Sequence, residues 1–191
     1  MKNEFIRIYK KNIQRNGADK LLSWLESTDF FTAPASTRFH LSHEGGLCEH
    51  SIHVYKRLCA TVEAIRGGEV SNETIAICGL LHDVCKANFY KVSNRNVKNE
   101  RTGQWEKQPF YQVEDVYPYG HGEKSVFLIE RRMRLRAEEA IAIRWHMGGW
   151  DEAAKGGSYA CSTAFNKYPL ALMLHIADME ATYLDENEEE K

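Results

Sequence analysis

The apolar segment Ile75 to Leu81 runs directly into His82 and Asp83. On a helix, adjacent side chains point about 100° apart. His82 and Asp83 therefore cannot both reach water by leaning the same way. An ionised carboxylate in such surroundings is costly unless it is paired or holds a metal. A divalent cation shared by the two side chains removes that cost, and so does a buried His–Asp hydrogen bond. The doublet alone leaves both readings open.

The rest of the chain reads mainly as helix. Apolar residues at Phe5, Ile8, Tyr9, Ile13, Leu21 and Leu22, interrupted by Gly17, predict two short helices. Residues 30–43 hold no sustained period and read as a loop. The spacing Leu47, Ser51, Val54, Leu58, Val62, Ile65 is helical and is stopped by Gly67 and Gly68. Ser71, with Thr74 behind it, caps the helix that carries Ile75 to Leu81. Helix period returns after Gly122 (Val126, Ile129, Met133, then Ile141, Ile143, Trp145), and again from Pro169 to Tyr183. Between them, residues 89–113 alternate aromatic and β-branched residues with polar turn formers, which predicts a β-hairpin. The expected fold is a mainly α, single-domain helical bundle over residues 1–191 with one hairpin excursion. Its core spans about 34–184, two helices precede it, and an acidic tail, 185–191, is expected to be disordered.

Composition removes several function classes. Net charge is −2, with 25 basic and 27 acidic residues, so no global positive field exists to hold a long nucleic acid. The longest apolar run is far short of the roughly 20 residues of a membrane span. The charged N-terminus has no secretory character. Five cysteines, none in a CxxC pair, read as reduced thiols of a cytoplasmic protein rather than a disulfide framework.

The eight histidines are the prominent count. His50 opens a helix in Gly45-Gly46-Leu47-Cys48-Glu49-His50. His121 lies between Gly120 and Gly122, His146 closes a helix before Gly148, and Asp178 sits on an apolar helix. Any one of these alone is more often structural. Five separate segments each offering an imidazole or carboxylate point to a shared centre. Mixed His and carboxylate ligands without thiolate suit one or two ions of Mn, Fe, Ni, Co, Mg or Zn. Six ligands can serve two ions about 3.5–4 Å apart.

These residues carry a family resemblance. The strings Gly45-to-Ser51 and Leu80-Leu81-His82-Asp83-Val84-Cys85-Lys86, with the late Asp178, resemble the first motif, the doublet and the final Asp of the HD superfamily of metal-dependent phosphohydrolases. The resemblance covers roughly residues 34–184. It implies that His50, His82, Asp83 and Asp178 hold one metal. His121 and His146 resemble the additional histidines of the two-metal subset, with Asp83 bridging. After His146 the chain departs from the pattern of the cyclic-di-GMP hydrolases.

The resemblance implies a metal-dependent phosphohydrolase acting on a nucleotide or related small phosphorylated compound. Asp83 and Lys86 are the expected catalytic groups, and Lys86 with His43 would touch substrate. Without the resemblance, Lys86 reads as a surface lysine at a helix end. His40 and His43 both precede the first motif in the loop. The stretch Lys86–Lys107 carries a net +4 with Phe89, Tyr90 and Trp105 interleaved, either a phosphate- and base-binding patch or an ordinary solvated hairpin. Two alternatives stand beside the main reading. One is a phosphodiesterase or 3′–5′ exonuclease on short oligonucleotides. The other is a non-catalytic metal- or nucleotide-binding regulatory module.

Overall fold

The computed structural model describes residues 1–66 and 69–186. Gly67 and Gly68, expected to stop the third helix, and residues 187–191 of the acidic tail lie outside the described residues. Helices α1 (Lys2–Asn12) and α2 (Ala18–Glu26) are separated at Gly17. Gly17 has φ of +93°, and a Cβ there would meet the Arg132 carbonyl oxygen at 2.1 Å, so both conformation and space require glycine.

The central layer is α3 (Gly46–Arg66), α4 (Asn72–Leu81) and α9 (Pro169–Glu180). Helix α3 packs on α4 and α9, while α9 packs on α6 (Ala137–Trp145), which in turn meets α5 (His121–Glu130). Ser71 caps α4 as expected, its hydroxyl accepting from the Thr74 N–H at 3.1 Å. Every α4 residue from Thr74 to Leu81 is buried, which explains why its sequence shows no polar face. Gly79 lets α3 approach closely: a Cβ there would lie 2.6 Å from Tyr55 Cα. Phe5, Leu21, Leu25, Phe30, Leu47 and Leu80 belong to one continuous core cluster.

Arg15, in the α1–α2 connection, clamps this layer. Its guanidinium donates to both oxygens of Glu139 at 2.7 and 2.8 Å and to Glu73 at 3.0 Å. Glu139 is fully buried and also accepts from the Thr74 hydroxyl at 2.9 Å.

A 3₁₀ turn, Val84–Lys86, follows the His82-Asp83 doublet and leads into β1 (Tyr90–Lys98) and β2 (Trp105–Val113). The strands pair antiparallel from Tyr90–Val113 to Lys98–Trp105, so the hairpin forms where alternation predicts it. Two short helices, α7 (Glu152–Lys155) and α8 (Ala160–Lys167), fall where the sequence shows no element. Within α8 only Cys161 and Ala164 are buried, too narrow a stripe to produce a period. Among the described residues no helix is long and apolar enough to cross a membrane.

Candidate metal centre

The N-terminal end of α3 supplies His50, the end of α4 supplies His82 and Asp83, the first residue of α5 is His121, the residue capping α6 is His146, and α9 supplies Asp178. Five elements therefore converge. His50 Nε2 lies 3.3 Å from His82 Nε2, 3.2 Å from Asp178 Oδ1 and 3.7 Å from Asp83 Oδ2. On the other side, Asp83 Oδ1 lies 2.7 Å from His121 Nε2 and 3.5 Å from His146 Nε2. His50, His82, Asp83 and His146 are all buried.

The outer ring nitrogens fix which way these imidazoles face. His82 Nδ1 bonds the Gly79 carbonyl at 3.0 Å, and His146 Nδ1 bonds the Ile143 carbonyl at 2.7 Å. A carbonyl only accepts, so Nδ1 carries the proton and Nε2 turns a bare lone pair inward. His146 Nε2 is left buried with no hydrogen-bond partner. A buried, unsatisfied acceptor is costly, and a cation among these atoms satisfies it.

The electrostatics agree. Burial would raise the Asp83 carboxyl, but Lys86, His82 and His121 outweigh it and hold the group well below the ordinary carboxylate range. Burial is likewise overcome at Asp178 by its hydrogen bond to His50, and its pKa also falls. Burial, reinforced by neighbouring imidazoles against the pull of Asp83, lowers His82 to about 3, so that ring is neutral. His50 and His121 are raised to about 10, because the bonds of His50 to Asp178 and Glu186, and Cys85 and Asp83 beside His121, outweigh burial. Ionised carboxylates, a neutral His82 and two imidazoles that can exchange a proton for a metal are a donor set for a divalent cation. Two overlapping triads, His50-His82-Asp83 and Asp83-His121-His146, each bring their ligand atoms within 4.8 Å of one another and share Asp83.

All six residues named as ligands from the sequence meet here. Lys86 also reaches the centre: its ammonium lies 2.6 Å from Asp83 Oδ2 and its side chain is only 13% exposed, so it is not a surface lysine. His43 does not meet the expectation of substrate contact. Its side chain is 54% exposed and turns to Glu49 at 3.6 Å, outside the recess at the centre. His40 occupies that place instead. Leu41, with φ of 42°, and the bond from Ser36 Oγ to the His40 carbonyl turn the loop so that the His40 ring lies 5.0 Å from that of His50.

The first two residues of the acidic tail depart from the expected disorder. Asp185 pairs with Arg57, and Glu186 is buried, its two oxygens 3.1 and 3.0 Å from His50 Nδ1 and one of them 3.0 Å from His53 Nδ1. These two residues close over α3 rather than dissolving into solvent. Their run of acids conceals this, because local composition does not reveal a partner 136 positions away.

The centre opens into a recess of about 680 Å³ whose lining includes Arg38, His40, Lys86, Trp150, His175 and Asp178. A second recess of about 540 Å³, with Phe89, Tyr119 and Lys124 in its wall, shares His121, Met147 and Trp150 with the first.

Comparison with known proteins agrees with this geometry. The chain is 41% identical over 61 residues to dihydroneopterin 2′,3′-cyclic phosphate phosphodiesterase of Methanocaldococcus jannaschii. That similarity covers 30% of this chain and 24% of the relative, about a quarter of its length. No solved structure is significantly similar. A model of the HD domain matches residues 47–186, which takes in the doublet, both intervening histidines, Asp178 and Glu186. With that match over most of its length, the chain belongs to the HD domain family.

Proposed function

We propose that this protein is a metal-dependent phosphohydrolase cleaving a phosphate ester of a nucleotide or a similarly small phosphorylated compound. The observation that carries the reading is the buried, unpartnered Nε2 of His146 within a ring of ionised carboxylates and inward-facing imidazoles. His50, His82, Asp83 and Asp178 would hold one divalent ion, and Asp83 with His121 and His146 a second. Such ions supply Lewis-acid charge for phosphoryl oxygens and lower the pKa of water toward neutrality.

The protein's own groups do the positioning. Backbone carbonyls of Gly79 and Ile143 hold His82 and His146 in one tautomer. Lys86 keeps its charge because Asp83 outweighs its burial, and from the recess wall it can donate to a phosphate oxygen. His40 is held neutral at neutral pH by burial and by its His50 and Lys86 neighbours, so it offers substrate a hydrogen bond rather than a charge.

A second reading, a phosphodiesterase, draws on the two triads sharing Asp83, since paired ions suit attacking and leaving oxygens together. The relative's cyclic phosphodiester substrate points the same way. The test is a panel of nucleoside monophosphates, cyclic phosphates and a chromogenic phosphodiester assayed with Mn, Ni, Co and Mg. Turnover of monoesters supports the first reading, and turnover of diesters alone the second. Tight nucleotide binding without any hydrolysis would overturn both in favour of a regulatory module.

A further inference from the structure

The hairpin leaves the bundle four residues after Lys86, and its two strands pack chiefly on each other. An isolated two-stranded ribbon is marginal in water, so this one needs an anchor. It has one: Asn88, in the left-handed region with φ of 54°, exchanges bonds with Asp29. The Asn88 N–H donates to Asp29 Oδ1 at 2.5 Å, and the Asp29 N–H donates to Asn88 Oδ1 at 3.2 Å. Tyr90 adds a bond from its hydroxyl to the Ala35 carbonyl at 3.4 Å. The root of the ribbon is thus fixed to the connection between α2 and α3, four residues from Lys86 in the recess wall.

Its two faces differ. The pairing register puts Lys91, Ser93, Arg95 and Val97 on one face with Gln112, Phe110, Gln108 and Glu106. The charges on that face are engaged: Lys91 pairs with Glu114 at 3.1 Å, and Arg95 lies over the Phe110 ring at 5.7 Å. The opposite face runs outward as Tyr90–Val113, Val92–Tyr111, Asn94–Pro109, Asn96–Lys107 and Lys98–Trp105. Lys98 and Lys107 are exposed and, among the described residues, neither meets a carboxylate. Trp105 beside them is 70% exposed. Strands of nine residues extend about 30 Å at ~3.3 Å per residue, long enough for several nucleotides.

Two unpaired ammonium groups beside the exposed Trp105 ring and the half-buried Tyr111 ring, with amides between them, match a ligand that is anionic along its length and carries flat faces. A second copy of the hairpin would oppose like charge to like, and an acidic peptide would leave the rings unused. We propose that this face of the hairpin is a binding ledge for the single-stranded part of an oligonucleotide whose terminal phosphodiester lies in the metal-site recess. The proposal rests on the phosphodiesterase reading above and specifies its substrate class. Trp105 and Tyr111 stack bases, Lys98 and Lys107 meet phosphates, and Lys86, four residues before the ribbon, stands in the recess wall.

The test is fluorescence anisotropy of a labelled single-stranded RNA octamer with the full chain, compared with a dinucleotide and an oligoglutamate of equal charge. The octamer should bind tightest. Trp105→Ala should weaken it by about 5- to 150-fold, the contribution of one stacked base. Lys98→Gln with Lys107→Gln should lower the slope of log K against log salt by about 1.4, two phosphates' worth. Circular dichroism and melting temperature verify that the variants fold. An octamer that binds no tighter than the dinucleotide or the oligoglutamate, or variants that bind like wild type, overturns the proposal. So does light scattering that shows a dimer dissociated by Trp105→Ala without octamer binding. Wild-type hydrolysis of bis(p-nitrophenyl) phosphate separates the two inferences. Hydrolysis without octamer binding sinks the ledge alone, and octamer binding that depends on Trp105 without hydrolysis sinks the phosphodiesterase reading alone.

Discussion

Both carboxylate oxygens of Glu186 lie within 3.1 Å of His50 Nδ1, so the last described residue of the chain orients the first histidine of the candidate metal centre. An ionised carboxylate accepts only, which fixes the proton on His50 Nδ1 and directs Nε2 toward Asp83 and Asp178. Carboxylates behind metal-binding histidines typically contribute 10- to 100-fold in metal affinity. Glu186→Ala is therefore expected to weaken metal binding by about that factor, with Glu186→Gln intermediate, measured by competition with a chelating dye. Affinity equal to wild type in both variants would remove Glu186 from the centre.

The same pair sets a pH dependence for the metal-free protein. Burial works against the charge on Glu186, yet its bonds to His50 and His53 bring its pKa from 4.5 down to about 2. Its stabilisation is full above about 4.5 and is lost as pH falls through about 2. His50 is raised from 6.5 to about 10, since bonds to Asp178 and Glu186 outweigh burial. Its stabilisation is full below 6.5 and is lost as pH rises through about 10. Chelator-treated protein should lose melting temperature between pH 6.5 and 10, whereas loaded protein should not, because a metal takes the place of the Nε2 proton. A flat or rising curve for the chelated protein over that range contradicts the His50 assignment.

Removing Arg15 should be costly. Arg15→Met leaves the fully buried Glu139 carboxylate without its charge partner, and stranding a buried charge costs about 3–5 kcal/mol. Urea unfolding measures it, and a loss under 1 kcal/mol would show that Glu139 finds another partner.

Gly79 should tolerate no side chain. Gly79→Ala drives a methyl into the Tyr55 backbone, and overpacking of that kind costs about 1–3 kcal/mol. Because the Gly79 carbonyl also holds His82, metal affinity should fall together with melting temperature. A variant with unchanged stability would mean that α3 and α4 separate freely at this point.

The longer helices and the six candidate ligands were legible because each signal is local. Ile75 to Leu81 sits beside the doublet it surrounds, and Ser71 lies three residues from the N–H it caps. What sequence missed depends on long-range closure. Glu186 sits among acids that resemble a solvated tail, and only the folded path of α9 returns it to α3. His40 and His43 are three residues apart in one loop, and the left-handed turn at Leu41 decides which of them faces the recess. Helix α8 buries too few residues to announce itself.

The most direct test of the account is metal content per chain by inductively coupled plasma mass spectrometry, after loading with Mn, Fe, Co, Ni or Zn and desalting. Wild type should retain one or two equivalents, while folded His82→Ala and Asp83→Asn should lose them. Wild type without stoichiometric metal, or variants that retain as much as wild type, would contradict the assignment of this centre.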